Sequence, residues 1–208
     1  MLPAPDYALS GPGDRRKACL SRLALAILAL SLIAAPVAAA DDSREAWAAL
    51  VTGSHVALVR HGNAPPGHGG DPPGFKIDDC STQRNLDDRG RAQARALGEA
   101  FRQHGVRVDK ILSSPWCRCL ETARLLALGP VDNTWAVAAS DKSPERLAAL
   151  KQMVSSWRGP GTLVVVTHGL TVQALVGIMP GQAETVVLRP KLGAEPRIDV
   201  AGRIPGPE

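Results

Sequence analysis

Two short apolar runs, Val56-Ala57-Leu58-Val59 and Leu163-Val164-Val165-Val166, each end a residue or two before a His-Gly pair: Arg60-His61-Gly62 and Thr167-His168-Gly169. Uninterrupted β-branched and aliphatic runs read as strands covered on both faces, the condition of a parallel sheet. A doubly covered strand needs a helical layer on each side, so these runs restrict the chain to a layered α/β arrangement. In open α/β sheets ligand chemistry collects just beyond the carboxyl ends of strands, where Arg60, His61 and His168 stand. Arg60 offers a planar fork of donors suited to phosphate or carboxylate.

The rest of the chain alternates in the same sense. A leading helix is expected over residues 41–52, capped by Asp41, Asp42 or Ser43, with Ala46, Leu50 and Val51 inward. Asp87-Asp88 caps a helix to about His104, its inner face Ala92, Ala96, Leu97 and Phe101, with Gly105 as its stop. Val108–Leu112 reads as a strand. Ser114 is then expected as N-cap and Pro115 as first residue of a helix reaching about Leu126. Thr134–Ala138 is a further expected strand. A helix from Pro144 to Trp157, a short helix over Thr171–Gly177 and a strand over Glu184–Leu188 complete the core, taken as about residues 54–190. The segment beyond, with Pro190, Pro196, Pro205 and Pro207, reads as a tail. The expected class is a three-layer α/β/α sandwich on a mostly parallel central sheet. Aromatic residues make up only 3% of the chain, so its core must be built from Ala, Leu and Val.

Residues 1–40 carry a basic cluster (Arg15, Arg16, Lys17, Arg22), an uncharged Leu/Ala-rich stretch and a terminal Ala38-Ala39-Ala40. This is the layout of a secretory signal peptide, leaving residues 41–208 as one exported, periplasmic domain without a stable membrane span. The competing reading is an uncleaved N-terminal membrane anchor. Removing the segment's four basic and two acidic residues from the chain's 24 and 20 leaves a net charge near +2. That balance, with no basic patch interleaved with aromatics, gives no case for a nucleic-acid partner, and none is expected.

A third predicted strand end supplies Ser113-Ser114 and, one turn into the next helix, Arg118. Helical side chains lean toward the helix N-terminus, which aims Arg118 back at the crevice. Two arginines and two histidines around one point would hold a tetrahedral dianion beside a nucleophile.

Arg60-His61-Gly62, Ser113-Ser114-Pro115-x-x-Arg118-x-x-x-Thr122-Ala123 and Thr167-His168-Gly169, in this order, resemble the histidine phosphatase superfamily, which includes the cofactor-dependent phosphoglycerate mutases. The resemblance implies an α/β/α sandwich, a phosphorylated intermediate on His61, and a phosphate pocket of Arg60, Arg118 and His168. It implies a metal-independent phosphomonoester hydrolase of the histidine acid phosphatase type, with no cofactor. The chemistry is consistent with those roles: a neutral imidazole attacks phosphorus, and Arg60, Arg118 and a protonated His168 steady the equatorial oxygens. His61 must keep one nitrogen free, so its other nitrogen is expected to donate to a carbonyl near Gly62.

The chain also departs from the mutases. Its first motif continues as Asn63-Ala64-Pro65, where the mutases have Glu-Ser, and their long middle insertion is absent. Hydrolysis is therefore expected over phosphomutase chemistry, with Asn63 as a further substrate contact. The family's acidic proton donor has no motif match, leaving Asp141, Glu145 and Glu184 as candidates. The substrate expected is a small phosphate ester or an envelope glycolipid phosphate met outside the cytoplasm; a phosphohistidine protein fits export less well.

Two rival readings use the same residues. A zinc site of His61, His68 and His168 matches no zinc spacing and would set a cation beside two arginines. A non-catalytic phosphate-binding module would keep every pocket residue and lack only the proton donor.

The Pro/Gly-rich stretch between Asn63 and Asn85 is long for a connection and is expected to act as a lid. Cys80, Cys117 and Cys119 follow Cys19 of the predicted leader, and an oxidising compartment favours one bridge among the three. Cys117 and Cys119 diverge on one helix, so Cys80 is one partner; Cys117, nearer the helix N-terminus and the crevice, is the expected other, with Cys119 as the alternative.

Overall fold

The computed structural model describes residues 34–65, 70–138, 142–191 and 197–208. The basic part of the predicted leader and two of the named residues, His68 and Asp141, lie outside them. Helix α1 (Ala34–Thr52) begins seven residues before the expected start at 41, so Asp41, Asp42 and Ser43 fall inside it instead of at its start. Its opening turns contain Pro36 near the first position and then Val37-Ala38-Ala39-Ala40, and alanine's high propensity carries the helix through. Among the described residues no helix is long and apolar enough to cross a membrane.

After α1 come β1 (Val56–Arg60), α2 (Asp88–Gln103), β2 (Val108–Ser113), α3 (Cys117–Leu125), β3 (Val131–Asn133), α4 (Pro144–Ser155), β4 (Thr162–Thr167), α5 (Gly169–Val176), β5 (Thr185–Lys191) and β6 (Arg197–Ile204). The sheet order is β3-β2-β4-β1-β5-β6. The first four run parallel, and β5 and β6 add an antiparallel flank. Every residue of β4 is buried, as its bare apolar run requires. One sheet face packs Ala57, Val59, Val164 and Val166 against α1, α2 and α3 through Leu50, Phe101 and Ala123. The other packs Leu58, Leu163 and Val165 against α4 and α5 through Leu150, Val154 and Val172. The α/β/α sandwich is therefore present, with a core of aliphatic side chains around few aromatics.

Four local expectations change. The inner face of α2 is Gly90, Gln93, Ala94, Leu97, Gly98 and Phe101, while Ala92 and Ala96 face solvent. Close backbone packing sets this rotation: a Cβ on Gly98 would stand 2.0 Å from the Leu126 carbonyl oxygen, and one on Gly90 2.1 Å from that of Asn63. The third strand is Val131–Asn133, and Trp135–Ala138 coils into a 3₁₀ turn. The helix after Ser114 starts at Cys117 with Trp116 as N-cap, two residues later than expected, because the Ser114 hydroxyl faces His168. The presumed tail forms β6, an edge strand on which proline is tolerated just past the ladder.

Strand register levels the three strand ends. Arg60 pairs with Thr167 and Ser113 with Val166, so the residues that follow emerge side by side. His61 N–H donates to the Thr167 carbonyl at 3.0 Å and Ser114 N–H to that of Val166 at 3.0 Å, extending the ladder by one residue beyond each strand.

Candidate active site

Beyond those ends opens a cleft of about 430 Å³ lined by Arg60, His61, Arg118 and His168, with Asp71, Arg84 and Trp116 beside them. His61 is 2% exposed. Its Nδ1 lies 2.8 Å from the Gly62 carbonyl oxygen. A carbonyl only accepts, so Nδ1 carries the proton and Nε2 keeps its lone pair. Gly62 itself permits no side chain, since a Cβ would meet the Gly90 carbonyl oxygen at 2.4 Å. Its N–H donates to Thr122 Oγ1, which in turn donates to the Arg118 carbonyl, tying the first motif to α3.

Burial, opposed by the Gly62 hydrogen bond and aided by the Arg118, Arg60 and Arg84 charges, pushes the His61 imidazole down to about 3. His61 is therefore neutral across the physiological range. Burial and the same arginines hold His168 well below its ordinary value too. His168 is thus held neutral in the ligand-free site. Arg118 Nη2, a pure donor, lies 3.4 Å from His168 Nδ1, so the proton sits on Nε2, which donates to Ser114 Oγ at 2.7 Å. The His61 and His168 rings meet edge to face at 5.6 Å.

Arg118 is nearly buried, and its Nη1 donates to Asp71 Oδ1 at 2.8 Å and Oδ2 at 3.1 Å. Asp71 also accepts from Trp116 Nε1 at 3.0 Å and from Arg84 N–H at 2.9 Å. Each carboxylate oxygen thus takes two donors, and Asp71 acts as a clamp. Nη1 is thus engaged and Nη2 faces His168 Nδ1, while Nε is buried without a partner, as is Arg84 Nε. Arg60 Nη1 donates to the Pro180 carbonyl at 2.6 Å. With its amide turned to satisfy both groups, Gln182 accepts from Arg60 Nη2 at 3.1 Å and donates to the His61 carbonyl at 3.2 Å.

Asp71 and Arg84 come from the Pro/Gly-rich loop, which is stapled to the start of α3. Cys80 and Cys117 form a disulfide, which settles the bridge's register and leaves Cys119 as a buried free thiol. Burial pushes that thiol up to about 12, so it stays protonated. Gln83 Oε1 accepts from the Cys117 N–H at 3.0 Å, filling the cap role that Trp116 cannot, while its Nε2 donates to the Lys76 and Ile77 carbonyls.

The other named residues stand elsewhere. Asn63 does not line the cleft: its amide donates to Asp87 Oδ2 at 2.7 Å, beside the start of α2. Glu145 is exposed in the first turn of α4. Glu184 is buried, accepting from Arg203 Nε and Gly181 N–H at 2.6 Å each. Neither carboxylate lines the cleft, whereas Asp71 does. Sequence reasoning missed Asp71 because Gly70-Asp71-Pro72-Pro73 reads as a turn, and Arg84 because no motif surrounds it. Among the described residues no group of three His, Cys, Asp or Glu side chains is placed to hold a metal ion.

Two neutral histidines and three arginines thus gather beyond the strand ends of a mostly parallel α/β sheet, an arrangement suited to an anion. Comparison with known proteins sharpens this. Residues 56–134 match the model of the histidine phosphatase superfamily (branch 1). A 72-residue segment is 32% identical to the mitochondrial serine/threonine-protein phosphatase Pgam5 of Drosophila virilis and 31% identical to that of Drosophila grimshawi, covering 35% of this chain and 22% of each relative. The match thus spans about a fifth of the length of those relatives. Among solved structures, the protein histidine phosphatase SixA complexed with tungstate aligns at 16% identity and TM-score 0.51, covering 70% of this chain and 94% of that one. A mycobacterial glucosyl-3-phosphoglycerate phosphatase aligns at 18% identity and TM-score 0.50, covering 70% and 97%. At those identities the likeness is one of fold. Over residues 56–134 the chain is thus similar to the histidine phosphatase superfamily, and its fold is like that of the protein histidine phosphatase SixA.

Proposed function

We propose that the chain hydrolyses phosphomonoesters through a phosphohistidine on His61. The observation that carries this reading is the His61 imidazole itself: neutral, tied by Nδ1 to Gly62, its Nε2 free in a cleft lined by Arg60, Arg84 and Arg118. In this mechanism Nε2 attacks phosphorus, the ester P–O bond breaks, and the alcohol departs after taking up a proton. Water then attacks the phosphohistidine and releases inorganic phosphate and the free imidazole. The arginines act electrostatically on the equatorial oxygens, so no metal or cofactor enters. Residues 1–40 serve as an export signal and the domain works outside the cytoplasm, a reading that the Cys80–Cys117 bridge supports.

One observation favours a second reading. Asp71, the acidic residue that lines the cleft, is fully engaged as a clamp, which is what a phosphate-binding module without turnover would show. Incubation with ³²P-labelled para-nitrophenyl phosphate in EDTA-containing buffer separates the two. Hydrolysis predicts product release and an acid-labile, base-stable label on the enzyme, both lost in His61→Ala. Labelling that survives in His61→Ala removes the nucleophile assignment, and binding without release selects the module.

A further inference from the structure

Four rings step outward from the nucleophile. His61 and His168 lie 5.6 Å apart, His168 and Trp116 5.2 Å, and Trp116 and Trp135 5.4 Å, each pair edge to face. Phe75 flanks Trp116 at 6.1 Å. Trp116 is held in place, because its Nε1 donates to the same Asp71 that holds Arg118, and the Cys80–Cys117 bridge starts at the next residue. Phe75, Trp116, Leu170 and Met179 line the cleft that contains His61, and none is charged. Leu170 is 62% exposed and Met179 46%, large apolar surface left uncovered at the mouth of an otherwise strongly cationic site. Single exposed apolar residues need no explanation, but a contiguous set beside a reactive group marks a binding surface.

We propose that this wall receives the alcohol half of the substrate, and that the enzyme selects phosphomonoesters whose alcohol is flat and apolar next to the ester oxygen. The proposal rests on the hydrolase reading above. The cleft volume suits a small ligand, and its lining combines charged and polar groups with the apolar Phe75, Trp116, Leu170 and Met179. A sugar or glycerol phosphate would place hydroxyls against Phe75, Trp116 and Leu170, which offer no acceptor, and the one donor among them, the Trp116 N–H, is already given to Asp71. Aromatic rings lose little conformational freedom on binding a flat partner, so the wall is preorganised.

Benzyl phosphate and ethyl phosphate test this, because their alcohols have similar acidity and differ in the ring. The expected ratio of kcat/KM is about tenfold or more in favour of benzyl phosphate, from burial of the ring's apolar surface. Leu170→Ser and Met179→Ser, both at exposed positions, should each reduce that ratio. A wild-type ratio below about half the expected value, or one unchanged in both variants, overturns the proposal. If neither ester is turned over, the hydrolase reading fails separately, and calorimetric affinities for benzylphosphonate against ethylphosphonate decide the wall by the same two criteria.

Discussion

Acidification should unfold this protein in a window that its histidines define. In the folded chain His61 is neutral down to about 3, while in the unfolded chain it titrates near the ordinary value of 6.5. Between those values the unfolded state binds a proton that the folded state refuses, so stability falls as the pH falls. The slope is about 1.4 kcal/mol per pH unit for one such group, or about 2 kcal/mol lost by pH 5 from His61 alone. His168 is also held well below its usual value by burial and arginines, and it adds in the same direction. Asp87, lowered chiefly by the Gly90 N–H, and Glu99, lowered by Arg102, act oppositely in origin: their stabilisation is complete above the ordinary carboxylate range and is lost only at lower pH. The interval from pH 6.5 to 5 therefore isolates the histidines. Urea melts at pH 7.5, 6.5, 5.5 and 5 should show a falling midpoint at constant m-value, and a melting temperature lower by about 4–8 °C for each 2 kcal/mol. His61→Asn should flatten the slope. A stability curve flat from pH 7.5 to 5, or a slope unchanged in His61→Asn, would refute the reasoning.

Three further outcomes follow from the geometry. Arg118→Ala should slow phosphate release on the order of a hundredfold or more, and a loss below about tenfold would mean that Arg118 does not face the transferred group. Asp71→Asn removes one partner of a pair in which both side chains are 7% exposed, so it should cost about 3 kcal/mol or more in urea denaturation; a change under about 1 kcal/mol would show the clamp to be idle. Cys80→Ser breaks a bridge between residues 37 apart and should destabilise by about 3–4 kcal/mol, with substrate ranking changing as the Asp71–Arg84 loop loosens; unchanged ranking would separate the loop from selectivity.

What the sequence revealed here follows from the range of the forces involved. The buried runs Val56–Val59 and Leu163–Val166 specify doubly covered strands almost by composition, and the His-Gly pairs at their ends are local signals. Asp87 caps α2 as read, because an Asx cap is a contact three residues long. Ser114 was misread as a cap for the converse reason. Its hydroxyl has two possible partners, and the one that wins, His168, is 54 residues away. The rotation of α2 depends on Leu126 and Asn63 backbones that approach Gly98 and Gly90, contacts that helical periodicity cannot contain. Asp71 and Arg84 escaped notice because their roles exist only once a 37-residue bridge folds the loop onto α3.

The same loop explains how the site can be strongly cationic and still stable when empty. Arg60, Arg84 and Arg118 all act on His61 and His168, and each lowers the cost of keeping those rings neutral while raising the cost of leaving the arginines unpaired. Asp71 offsets one of the three charges, and it does so on Nη1, away from the Nε and Nη2 edge. A phosphate dianion entering the cleft would supply two negative charges where the protein supplies one. Coulombic attraction would then raise His168 from its depressed value and let it take up a proton. In the proposed mechanism the protonated His168 that the transferred phosphoryl group needs is thus produced by substrate binding, and the empty site holds the neutral form. At His61, held by burial at about 3 in the empty site, the Nε2 lone pair is taken by phosphorus during transfer, so that nitrogen has no site left for a proton.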